Sequence, residues 1–103
     1  MSLESNLAEL RKELETGERN SKKAYRINVI TSEITEDVED VQPEKYYVKN
    51  RIVPLFQKAL EVIKTSSSRG GFGKHMQGFV NSIKRRKDYL MAYSPILEYT
   101  FQH

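Results

Sequence analysis

Apolar residues recur at steps of three and four along most of this chain, the period of a helix with one buried face. Leu3, Leu7, Leu10 and Leu14 open the pattern. Ser2 stands where an N-cap belongs and Gly17 where a helix would stop, so a first helix is expected over 2–17. Two heptads are too few for an independent coiled coil. The stripe must dock on the rest of the chain or on a second protein, which makes these four leucines candidate partner contacts.

Residues 18–23 form a polar joint. Over 24–41 two periods compete. Tyr25, Ile27 and Val29 alternate as in a strand, whereas Ile27, Ile30, Ile34, Val38 and Val41 step as in a helix. The helical register spans more residues and is preferred, although β-branched side chains lose rotamer freedom in a helix. The alternative is a short strand at 24–30, then a helix capped by Thr31 or Ser32.

Pro43 and Glu44 suit the start of a third helix. Val48, Ile52, Leu55, Phe56, Ala59, Val62 and Ile63 then make the strongest apolar stripe. Pro54 interrupts it. A proline inside a helix removes a hydrogen bond and clashes with the carbonyl four residues back, at about 3 kcal/mol. Either the helix kinks near Asn50 or a new one begins at Pro54. Residues 65–71, rich in Ser and Gly, read as a linker. A fourth helix follows from about Phe72, with Met76, Phe79, Val80, Ile83 and Leu90 on one side. Ser94 and Pro95 would open a short last helix carrying Ile96, Leu97, Tyr99 and Phe101. The expectation is an all-α fold, one domain over 1–103, built as a small bundle of four to five helices.

Size and composition agree with this. A chain of 103 residues can bury roughly two-thirds of its unfolded surface. Leu, Ile, Val and Phe make up about a quarter of it, above the ~20% below which disorder is the default. The absence of cysteine removes disulfides, thiolate catalysis and Cys-based zinc sites. It fits a cytoplasmic or otherwise intracellular protein. No basic and apolar leader is visible at the N-terminus, and no stretch approaches the 18 apolar residues of a membrane span.

Charge changes the picture more. Residues 1–44 hold 11 acids and 6 bases, and residues 45–103 hold 3 acids and 11 bases. Such polarity assigns an electrostatic role to the second half, or else the halves attract each other within one fold or between two copies.

Catalytic constellations are weak. His75 and His103 are the two histidines, too few for a multi-histidine metal site. The acidic run 33–40 lacks the ligand spacing and central glycine of an EF-hand loop and reads as a solvated helix face. Ser66, Ser67 and Ser68 have no nucleophile elbow and belong to the linker. No enzyme, metal or cofactor is expected.

Two basic segments stand out. Arg69-Gly70-Gly71-Phe72-Gly73-Lys74-His75 is a glycine-rich stretch ahead of a helix start, a place where backbone N–H groups and cations meet phosphates. It lacks the P-loop spacing, and its plain reading is a hinge. Lys84-Arg85-Arg86-Lys87 is the densest charge in the chain. Four successive helical residues fan around the axis, so they cannot all face the core. With Tyr89 and Tyr93 nearby, they could neutralise phosphates and stack on bases. Their plain reading is a solvated face paired with the acidic run. Of Tyr46 and Tyr47, adjacent on a helix, one can be buried while the other is exposed.

The leading expectation is therefore a regulatory protein that binds DNA or RNA through Arg69, Lys74, His75, Lys84, Arg85, Arg86 and Lys87. The alternative is a protein-interaction module or homodimer that uses Leu3, Leu7, Leu10, Leu14, Tyr93 and Phe101. No helix-turn-helix, zinc-finger or RNP signature supports sequence-specific readout.

Overall fold

A computed structural model of the chain describes residues 2–65 and 74–96, with backbone alone at 74 and 75. Helix α1 spans Leu3–Glu15. Ser2 caps it, its Oγ accepting from the Ser5 N–H at 3.1 Å. Thr16 is the C-cap, and Gly17 then turns the chain at φ 75°, a conformation glycine adopts without steric cost.

The carbonyls of a last helical turn have no partner within their own helix. Here a side chain from α2 supplies one. Lys23 is 2% exposed, and its ammonium donates to the carbonyls of Glu13, at 2.5 Å, and Thr16. The Glu13 carboxylate stands 3.3 Å from Lys23 Nζ and 2.8 Å from Arg26 Nε.

Helix α2 runs over Ser21–Val41. It begins inside the expected polar joint because Asn20 Oδ1 accepts from the Lys23 N–H at 3.0 Å. The strand considered at 24–30 does not form. Ile27, Ile30, Ile34 and Val38 are buried along one face, while Tyr25 is 58% exposed, so the helical period decides. Thr31 and Thr35 return their hydroxyls to the carbonyls of Ile27 and Thr31, which satisfies them inside the helix.

Pro43 precedes the next helix rather than sitting in its first turn. Helix α3, Lys45–Tyr47, runs through a π-helical turn, Val48–Ile52, into α4, Val53–Thr65. Pro54 neither breaks this rod nor starts a new one. In the π turn the Val53 N–H reaches back five residues to the Val48 carbonyl, and the wider turn makes room for the proline ring. Helix α5 is described over Lys74–Ala92; Phe72, the expected start, lies outside the described residues.

Side-chain contacts fix the directions. Asn6 meets Asp37 and Glu13 meets Arg26, so α1 and α2 are antiparallel. Glu4 meets Tyr47 and Glu15 meets Lys58, so α4 runs parallel to α1. Tyr25 packs on Phe79, Asn28 meets Arg86 and Pro43 meets Tyr93, so α5 runs parallel to α2. The described chain is an all-α bundle made of two helical hairpins, α1–α2 and α3/α4–α5. Leu7, Leu10, Ile27, Ile34, Ile52, Phe56, Ile63, Ile83 and Leu90 from all of these rods share one core.

Two expectations about partner contacts are corrected here. Leu3, Leu7, Leu10 and Leu14 are buried in this core, because α2 supplies the apolar face their stripe requires. Tyr93 is 5% exposed and its hydroxyl donates to the Pro43 carbonyl at 2.5 Å; it locks the end of α5 to the α2–α3 turn and offers no free face. Phe101, and the expected last helix beyond Ile96, lie outside the described residues.

Candidate nucleic-acid interface

The fold turns a charge asymmetry of sequence into one of space. The acidic half is hairpin α1–α2 and the basic half is hairpin α3/α4–α5. Between described residues, a single ion pair crosses from one hairpin to the other, Lys58 to Glu15 at 3.9 Å, with both side chains about half-exposed or more. A pair of that kind contributes at most about 1 kcal/mol.

The run Lys84–Lys87 fans around α5 as helical geometry demands, and each member meets different surroundings. Arg86 turns toward α2, where its Nη1 donates to Asn28 Oδ1 at 2.9 Å and to the Asn28 carbonyl at 3.1 Å. Partial burial, then the neighbouring Arg85, hold its pKa below the ordinary arginine value, with Glu36 opposing. Lys87 turns toward α4 and donates to Gln57 Oε1 at 2.6 Å. Lys84 and Arg85 are exposed on the outside of the helix. Both inward-turned cations thus bond neutral acceptors and keep their net charge. Arg69 lies outside the described residues. Lys74 and His75 open α5, and only their backbone is described.

A tyrosine and two lysines of the third rod join this surface. Tyr46 is 74% exposed and lines a shallow depression with Glu44, Lys45, Lys49 and Pro95. Tyr47 is half-buried and donates to Glu4 Oε1 at 2.8 Å. The adjacent pair therefore divides as helical geometry allows. The Lys87–Gln57 bond, and the depression lined by both Pro95 and Lys49, set an antiparallel register between α4 and α5. Lys84, Lys87 and Lys49 then follow one another over about 15 Å of helix rise, with Tyr46 at one end. Asp88 is the carboxylate of α5. The Lys45/Lys49 spacing of four around an aromatic residue was the available signal for this extension, hidden behind the denser run at 84–87.

Among the described residues no group of three His, Cys, Asp or Glu side chains is placed to hold a metal ion. None of their helices is long and apolar enough to cross a membrane. The chain matches no family model, no curated protein and no solved structure.

Proposed function

We propose that this chain is a non-catalytic nucleic-acid-binding protein that grips phosphates along the α4–α5 side of its basic hairpin. Lys84, Lys87 and Lys49 supply charge, and Tyr46 supplies a face on which an unpaired base can stack. The observation that carries the reading is that Arg86 and Lys87 of α5 bond neutral acceptors, Asn28 and Gln57, rather than carboxylates. Their charge remains available to an anion. The expected mode is backbone binding without base-edge readout, since a surface of lysines and one tyrosine offers no bidentate reader of base edges.

Fluorescence anisotropy with a labelled single-stranded oligonucleotide tests this. Affinity should fall steeply between 50 and 200 mM salt, in the range set by counterion release for a few phosphate contacts. The variant K84E/K87E should weaken binding at least tenfold and reduce the salt slope by about 2. Absence of binding at ~50 mM salt would remove the reading.

A further inference from the structure

The lysine stripe ends in a depression, and the last residue at that end carries the opposite charge. Along the rod the order is Lys49, Tyr46, Lys45, Glu44, and all four line the depression together with Pro95. Its volume is about 490 Å³, inside the roughly 300–1,000 Å³ of small-ligand sites. Glu44 is exposed and stands as the N-cap of α3, yet its side chain caps no backbone N–H. Among the described residues nothing donates a hydrogen bond to its carboxylate or forms an ion pair with it. Gln42, Pro43, Pro95 and Ile96 add no cation at this end of the bundle.

The backbone beneath the neighbouring ring is pinned. Tyr46 is 74% exposed, and the Asn50 side-chain amide donates to its carbonyl at 2.8 Å. The ring thus stands at the entrance to the π turn Val48–Ile52, a feature concentrated at functional sites.

We propose that the depression takes the 3′-terminal nucleoside of a single-stranded RNA, an inference that rests on the nucleic-acid function proposed above. A strand lying on the stripe meets cations at Lys84, Lys87 and Lys49, and then a carboxylate. A strand that continued would bring its next phosphate against Glu44, and like charges oppose that. A strand that stops brings hydroxyls instead. The last ribose of RNA carries two on adjacent carbons, at 2′ and 3′, and each can donate to one carboxylate oxygen of Glu44. Such bonds to an ionised acceptor are roughly twice as strong as those between neutral groups. The last base stacks on Tyr46, and the last phosphate falls to Lys45 and Lys49. DNA ends in a single hydroxyl, and so does the 5′ end of RNA, so neither offers the pair. No base edge is used, and the terminal base is free to vary.

Anisotropy with 5′-labelled single-stranded RNA of roughly 12 nucleotides tests it, with one sequence ending in a 3′-hydroxyl or in a 3′-phosphate. At ~50 mM salt the native chain should bind the hydroxyl end about tenfold more tightly. Plain phosphate binding gives the reverse order, because the 3′-phosphate adds charge. A 2′-deoxy last sugar should lose part of the advantage. Glu44 is exposed, so its variants should fold. E44A should erase the preference, and E44K should turn it toward the 3′-phosphate. RNA bound equally well with either end, or a preference that survives in E44A, would overturn the inference and leave the nucleic-acid reading in place. No binding of either RNA would remove that reading and this inference with it.

Discussion

The two hairpins carry charge in different ways. In α1–α2, ionic groups hold the hairpin together: Lys23 and Arg26 converge on Glu13, and Asp37 accepts from the buried Asn6 at 2.7 Å. In α3/α4–α5, Arg86 and Lys87 bond neutral side chains, and Lys84 and Arg85 project outward. Charge is part of the structure on one side and is left uncompensated on the other. An ionic substitution should therefore read out as lost stability in the first hairpin and as lost binding in the second.

The largest effect is expected at Lys23. Its ammonium is buried and caps the carbonyls that end α1. K23M retains much of the aliphatic stem but leaves two buried carbonyls without a donor. Each orphaned group costs about 1–3 kcal/mol, so K23M should lose about 2–4 kcal/mol in urea unfolding while native circular dichroism is kept. A loss below ~1 kcal/mol would mean that solvent reaches those carbonyls. K84M, with an exposed head on α5, should change stability by less than ~0.5 kcal/mol. The contrast between the two lysines is the sharpest test of the division.

Next in size is the binding contrast. K84E/K87E removes two cations from the α4–α5 side. E33K/D40K, on exposed positions of α2, adds two cations to the acidic hairpin. Anisotropy should show at least tenfold weaker binding for the first. For the second, affinity should hold or rise by a few fold at low salt, because only long-range steering changes. Equal losses from both would show that the overall field, rather than the lysine stripe, governs binding.

The reach of the sequence follows the same line. Helices appeared wherever a stripe of one period ran unopposed, as at Leu3–Leu14 and Val48–Ile63. The strand alternative over 24–30 arose because Tyr25 and Val29, on outer positions of α2, happened to alternate with Ile27. Which partner would cover the leucine stripe was not legible, since an amphipathic face does not say whether its cover lies in the same chain. Tyr93 was misread for a related reason: tyrosine suits an exposed anchor and a buried lock equally well, and only the Pro43 carbonyl opposite it decides. For the run 84–87 the fan was foreseeable. The neutrality of Asn28 and Gln57 as acceptors was not, because both contacts join residues at least 30 positions apart.

The smallest expected effect comes from titrating the ionic knot of the first hairpin. Partial burial alone would raise the Glu13 pKa. Hydrogen bonds from Arg26 and Lys23, with the charges behind them, outweigh burial and hold it below the ordinary value of 4.5. A group with a depressed folded pKa binds its proton more weakly when folded, so the unfolded chain holds more protons as the carboxyl titrates. Its contribution is therefore fully present above the unfolded pKa and is lost as pH falls through the folded one. E13Q removes that titration. At pH 7 the variant should be less stable than the native chain in urea, and below pH ~4 the two curves should converge. In the second hairpin the described cations of α5, Lys84 to Lys87, have no carboxylate partner within ion-pair distance, so K84M should show no such convergence. A gap between native and E13Q that stayed constant from pH 7 to pH 3 would mean that Glu13 acts through packing rather than charge, and the distinction between the hairpins would lose its ionic basis.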